Sequence, residues 1–159
     1  MIISEHLNSK AISIDLKGET KEKVLQELTE ILIASGEVEE KDKDNIVKIL
    51  LEREKIGSTG IGYGIAIPHG KCKVVESVTL AVGCSKKGIT FDSIDGKPVH
   101  LFFLLLTSPE CGQLHLKVLA RLSRFLKDKN FRESLIKVKE AHEICEIIEN
   151  KEKKDGIHQ

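Results

Sequence analysis

Residues 11–16, Ala-Ile-Ser-Ile-Asp-Leu, alternate apolar and polar positions, the period of a strand with one buried face. Gly18 interrupts the pattern, and Thr20 can cap a helix that runs to about Ser35. Val24, Leu25, Leu28, Ile31 and Leu32 give that helix an apolar stripe, and Gly36 suits its stop. A second helix starts near Asp42 or Asp44, carries Ile46, Val47, Leu50 and Leu51, and ends near Glu54 or Lys55 ahead of Gly57. Residues 78–84 and 99–106 are short, nearly continuous apolar runs, which predicts strands buried on both faces, with a turn at Asp95-Gly96-Lys97-Pro98 between them. Pro109 to Gly112 breaks the chain before a third helix, about 113–127, with Leu114, Val118, Leu119, Leu122, Phe125 and Leu126 on its apolar face. Two shorter helices are expected over 131–138 and 140–150, and the Lys/Glu-rich end, 151–159, reads as a frayed tail. Strands and helices interleave without a linker or an internal repeat over 1–150, so the chain reads as one α/β domain whose sheet is covered by helices.

Composition narrows the function. The 159 residues carry 25 Lys plus Arg against 25 Asp plus Glu, a formal net charge of zero. A general nucleic-acid binder shows a basic excess, and five Phe, one Tyr and no Trp leave few platforms for stacking bases. No apolar run approaches the roughly 18 residues of a membrane span. The N-terminus, Met1 to Glu5, has neither a basic region nor a long apolar stretch, so the expectation is a soluble, cytoplasmic protein. The four cysteines are widely spread, without a CxxC, which fits a reducing compartment. Cys84 lies in an apolar run and Cys145 on an apolar helix stripe, both reading as core.

Candidate chemistry concentrates at 57–64, where four of the twelve glycines fall within eight positions. Such backbone must turn tightly or approach something closely. Nucleotide loops fail the test of spacing. A Walker A loop ending at Gly70-Lys71 would need glycine at Ile65 and Ser or Thr at Cys72. The dinucleotide pattern would need glycine at Ile65 or Ile67, and there is no G-x-S-x-G elbow. What remains is His69, after Pro68 and an extended Ile67, at the mouth of a turn containing Gly70. A neutral imidazole is a competent nucleophile toward phosphorus, and phosphoryl transfer then asks for positioning and for neutralised charge. Arg53, Lys55, Lys71 and Lys73 surround His69 in sequence, against the single acid Glu54.

The run from Arg53 to Lys71, Arg-Glu-Lys-Ile-Gly-Ser-Thr-Gly-Ile-Gly-Tyr-Gly-Ile-Ala-Ile-Pro-His-Gly-Lys, closely resembles the active-site signature of enzyme IIA of the fructose/mannitol type in the bacterial phosphotransferase system, a family that includes the nitrogen-regulatory IIA proteins. Asp95 to Leu101 and His115 to Ser123 agree with it, and the resemblance covers essentially the whole chain. It implies a mixed β-sheet with helices on both faces. It also implies that His69 takes a phosphoryl group from the phosphohistidine of HPr or of a nitrogen-branch HPr. The group then passes to a cysteine of a IIB domain or serves as a regulatory signal. His115 falls on the second active-site histidine, which places the phosphohistidine, and Arg53 on an arginine that offsets phosphoryl charge. Ser58, Thr59 and Gly60 would form a phosphate loop, or merely shape the turn. Neither metal nor other cofactor is implied. The phrase from Arg53 to Lys71 stands somewhat nearer the nitrogen-regulatory members, and a chain without an attached IIB or membrane domain permits a regulatory role.

An alternative takes His69, Cys72, Cys111 and His115 as a zinc site, since His69-x-x-Cys72 and Cys111-x-x-x-His115 have chelating spacings. Among the remaining candidates, Tyr63 reads as an interface residue near His69, His100 as structural, and His6, His142 and His158 as solvent groups.

Overall fold

Alternate residues of a single apolar run pack on opposite faces of a six-stranded sheet. The structure, a computed structural model, describes residues 2–157, the side chain of Ile157 excepted. Along β6 (Val99–Thr107), Leu101, Phe103 and Leu105 join one apolar cluster, while Phe102, Leu104 and Leu106 join another. Strand side chains alternate between faces, so a strand with no polar alternation is one buried twice over.

β5 (Val78–Ile89) lies antiparallel to β6, and β1 (Leu7–Ser13) lies parallel to β5 at one edge. On the other side of β6, β3 (Ile65–Ala66) and β4 (His69–Lys71) pair with it in parallel, one after the other. β2 (Gly60–Gly62) completes that side, antiparallel to β3. The sheet is therefore mixed, ordered β1-β5-β6-β3-β2 with β4 against β6.

Helices cover both faces. α1 (Lys21–Ala34) and α2 (Lys43–Ile56) bury Val24, Leu25, Leu28, Leu32, Ile46 and Leu50 on one side. α3 (Gly112–Phe125), α4 (Lys129–Ile136) and α5 (Ala141–Ile157) bury Val118, Leu122, Phe125, Phe131, Ile144 and Ile148 on the other. The caps of α1 are those its sequence promises. Thr20 Oγ1 accepts from the Lys23 N–H, and Gly36, at φ 83°, lets the N–H of Gly36 and of Glu37 donate to the carbonyls of Ile33 and Leu32. No helix among the described residues is long and apolar enough to cross a membrane.

Three expectations change. β1 runs from Leu7 to Ser13 and not over 11–16, and a register shift between Leu7 and Ile12 interrupts its regular pairing with β5. α4 begins at Lys129, since the Asp128 carboxylate accepts from the N–H groups of Asn130 and Phe131 and caps it there. The frayed tail does not hold for 151–157, which continue α5. Glu152 is buried there and accepts from the N–H groups of Ile3 and Ser4 and from Arg121, tying the helix to the start of the chain. His158 lies outside the described residues.

Candidate functional site

His69 is delivered to the end of the sheet by tied backbone on both sides. The Ile67 N–H donates to the Thr59 carbonyl, and the Leu105 N–H donates to the Pro68 carbonyl. His69 then opens β4, level with Leu105, rather than sitting in a turn as expected. Gly70 follows because α2 packs closely over this strand: a Cβ there would meet Ile49 Cγ2 at 2.7 Å. The Thr107 end of β6 leads through the turn at Pro109–Cys111 into α3, whose first turn carries His115 inward.

The two histidines meet. Their ring centroids are 5.5 Å apart with planes inclined at 63°. His69 Nδ1 lies 2.8 Å from the Ile67 carbonyl oxygen, which can only accept, so the neutral ring carries its proton on Nδ1 and keeps the Nε2 lone pair. His115 is buried, and its Nδ1 is hydrogen-bonded to Thr107 Oγ1 at 2.8 Å. Burial lowers the pKa of His69 from 6.5, assisted by the Arg53 charge and opposed by the Ile67 carbonyl and by Glu54. Burial also lowers that of His115, with the charges of His69 and Lys71 adding to it. Both rings are thereby held neutral near pH 7, the state a nitrogen nucleophile needs.

Arg53 sits in the last turn of α2, where its Nη1 donates to the Gly57 carbonyl at 2.7 Å, and its charge reaches His69. Lys71, two residues beyond His69, brings its ammonium to the start of α3, 3.8 Å from where a Cβ on Gly112 would lie. The site therefore pairs a neutral imidazole with at least two nearby cations.

Of the two readings of Ser58, Thr59 and Gly60, a phosphate loop or a shaped turn, their partners favour the second. Ser58 Oγ donates to the Phe91 carbonyl and accepts from the Gly60 N–H. The N–H and hydroxyl of Thr59 both donate to the Glu54 carboxylate, and Thr59 and Gly60 are buried. These groups shape the loop and are not turned out to a ligand. Glu54 is the anchor that sequence reasoning missed: it is buried at the end of α2 and also pairs with Lys21 Nζ at 3.3 Å. A single acid set in a run of cations, five positions before a threonine, was the available signal.

The zinc alternative is corrected. Among the described residues no group of three or more His, Cys, Asp or Glu is placed to hold a metal. Cys72 packs in the core beneath α1 and α2, and Cys111 Sγ faces Ser77 Oγ. Tyr63 is not near His69. It occupies a two-residue hairpin turn between β2 and β3 with Gly64, both at positive φ. The parallel register with β6 puts it about six residues, or about 20 Å, along the strand from His69. There the Arg132 guanidinium lies 4.3 Å from its ring centre. His100 is structural, with Nδ1 2.9 Å from the Ser85 carbonyl oxygen. His142 is largely exposed, whereas His6 Nδ1 is held 2.7 Å from the Ile2 carbonyl oxygen.

Comparison with known proteins places this geometry. The nitrogen regulatory protein of Bradyrhizobium diazoefficiens is 36% identical over 148 residues, covering 93% of this chain and 95% of the relative. The fructose-specific EIIABC component of the Bacillus subtilis phosphotransferase system is 35% identical over 153 residues. That match covers 96% of this chain but 24% of the relative, so the chain spans about a quarter of it. The crystal structure of nitrogen regulatory protein IIA-Ntr from Neisseria meningitidis superimposes with a TM-score of 0.84 at 35% identity, over 92% of this chain and 99% of that one. Residues 5–151, from before β1 into α5, match the description of EIIA 2 of the phosphoenolpyruvate-dependent sugar phosphotransferase system, and the chain belongs to that family.

Proposed function

We propose that the protein is a histidine phosphocarrier in which His69 Nε2 accepts a phosphoryl group from the phosphohistidine of HPr or of a nitrogen-branch HPr. The observation that carries this reading is the engagement of His69 Nδ1 by the Ile67 carbonyl, beside the second imidazole of His115. The Nε2 lone pair attacks phosphorus, the donor's P–N bond breaks, and its electron pair returns to the donor ring. The proton stays on His69 Nδ1, and the Ile67 carbonyl that accepts its hydrogen bond stabilises the imidazolium formed. His115 orients the phosphohistidine by hydrogen bonding, and Arg53 offsets the charge of its oxygens.

Exposed apolar side chains flank this end of the molecule. Ile56 closes α2, Val74 follows β4 and Leu116 adjoins His115, at 84%, 42% and 65% exposure. Such residues around a charged centre suit a protein partner. From His69 the group passes either to a cysteine of a IIB domain or into a regulatory contact, where a neutral ring becomes a bulky dianion. The nitrogen-regulatory use is favoured by the fit to the Neisseria IIA-Ntr structure and by the end-to-end match of the Bradyrhizobium relative. The sugar-transfer use is supported by the fructose-specific relative.

The deciding experiment is intact mass after incubation with phosphoenolpyruvate, enzyme I and HPr or its nitrogen-branch counterpart, for the wild type and His69→Ala. The expected result is a gain of one phosphoryl mass that is acid-labile and absent from the variant. Full labelling of His69→Ala would overturn the assignment.

A further inference from the structure

Thr107 closes β6 with a side chain at 0% exposure. Its neighbours on both sides fix it in place: Lys71 of β4 and Val78 of β5 pair with it. A β-branched side chain held in a ladder on both flanks has little freedom at χ1. Its Oγ1 is therefore presented to His115 in one orientation, 2.8 Å from Nδ1.

We propose that Thr107 is a positioning residue whose hydroxyl donates to His115 Nδ1, fixing the tautomer that carries its proton on Nε2. The inference rests on the phosphocarrier reading of His69. It follows from counting hydrogens. A hydroxyl has one proton to place, and among the described residues His115 Nδ1 is the sole hydrogen-bond partner of Thr107 Oγ1. Were the ring to donate instead, the hydroxyl proton would be buried without an acceptor, the costlier of the two arrangements. With the hydroxyl donating, ring nitrogen and hydroxyl are both satisfied.

The consequence reaches the chemistry. A neutral imidazole has a single N–H, and this arrangement puts it on the nitrogen that Thr107 does not touch. A phosphoryl group on His69 presents oxygens that only accept. His115 can meet them with Nε2–H, whereas the other tautomer would oppose a lone pair to them. One pair of neighbouring strands, β4 and β6, thus carries both the nucleophile and the residue that sets its companion's proton.

The test uses the full chain with nitrogen-labelled histidine, as wild type, Thr107→Val and Thr107→Ser. Long-range proton–nitrogen spectra of the unphosphorylated protein report the His115 tautomer, and single-turnover labelling from phospho-HPr reports the rate. The wild type should show His115 unprotonated at Nδ1 and protonated at Nε2. Thr107→Val should lose that preference and take up the phosphoryl group about tenfold more slowly, the lower end for partners that orient an imidazole. Thr107→Ser should restore both. A wild-type His115 with its proton on Nδ1 overturns the proposal, whether or not Thr107→Val folds. So does a Thr107→Val protein with unchanged tautomer and rate. A wild type that accepts no phosphoryl group overturns the carrier reading instead, while its spectrum still decides where the His115 proton lies.

Discussion

The imidazoles of His69 and His115 meet edge to face at 5.5 Å, and each is held by its Nδ1, one by the Ile67 carbonyl and the other by Thr107. Both Nε2 atoms are thereby left for chemistry. The pair is also electrostatically selective: two imidazolium charges this close would repel, and each ring is already biased toward neutrality by burial. On the phosphocarrier reading proposed above, a neutral nucleophile beside a neutral donor is the state that can receive a phosphoryl group.

Replacing His115 by alanine should leave the fold intact and slow phosphoryl uptake roughly 10²-fold, the usual loss for one donor that stabilises developing charge. Stability should fall by about 1–3 kcal/mol, because the Thr107 hydroxyl is left buried without its partner. Single-turnover labelling and urea unfolding would measure the two effects. A variant as fast as the wild type would remove His115 from the site.

The pH dependence follows from the direction of the two shifts. Both histidines bind protons less readily in the folded protein than at the ordinary value of 6.5. Below 6.5 the unfolded chain therefore holds more protons than the folded one. The stability these neutral rings allow is present above that value and is lost as pH falls toward their depressed folded values. Uptake of the phosphoryl group should be level around neutrality and decline only below 6.5, when His69 charges. A pH–rate profile that bends on the alkaline side of 6.5 would contradict the shift.

Arg53→Ala should separate catalysis from stability. Its guanidinium donates to the Gly57 carbonyl, an exposed contact that water can replace, and a cation in the last turn of a helix contributes about 0.3–1 kcal/mol. Unfolding midpoints should move little, while phosphoryl transfer slows. An unchanged transfer rate would limit Arg53 to capping α2.

The sequence carried the architecture where burial leaves a pattern. Apolar runs at 78–84 and 99–106 became β5 and β6, and the stripes of α1, α2 and α3 face the sheet as their periods require. β4 left no such trace, since His69-Gly70-Lys71 has no apolar alternation and becomes a strand only because β6 offers it a ladder. His69, His115 and Arg53, which the fold brings together at the candidate site, could be picked out as residue types in a motif. Thr107 could not, because a threonine ending an apolar run reads as an ordinary strand residue until the fold brings α3 back against it. Ser58 and Thr59 left two readings open for the opposite reason. Hydroxyls in a glycine-rich stretch suggest a phosphate cradle, and only the fold reveals that Glu54 and the Phe91 carbonyl accept their hydrogen bonds.

The end of the chain offers the sharpest contrast between composition and structure. Residues 151–157 are rich in Lys, yet α5 continues through them because Glu152 turns inward. Burial works against the charged form of this carboxyl, but the Ser4 N–H, Arg121, the Ile3 N–H and the Ser4 hydroxyl together hold its pKa below 4.5. It is thus a charge-assisted clamp between α5, α3 and the segment ahead of β1. Glu152→Ala should destabilise the protein by about 2–3 kcal/mol, since hydrogen bonds to a charged group contribute about 1.5–3 kcal/mol and the freed backbone donors regain only some water. A carboxyl with a depressed folded pKa contributes stability above the unfolded value and loses it as pH falls through the folded one. The gap between wild type and Glu152→Ala should therefore be full at neutral pH and narrow below 4.5. Urea unfolding at a series of pH values measures it, with His69 phosphorylation as a control that the distant site is intact. An equal gap at pH 7 and pH 3 would show that Glu152 acts by packing and not by charge, and no gap at all would return 151–157 to the status of a frayed tail.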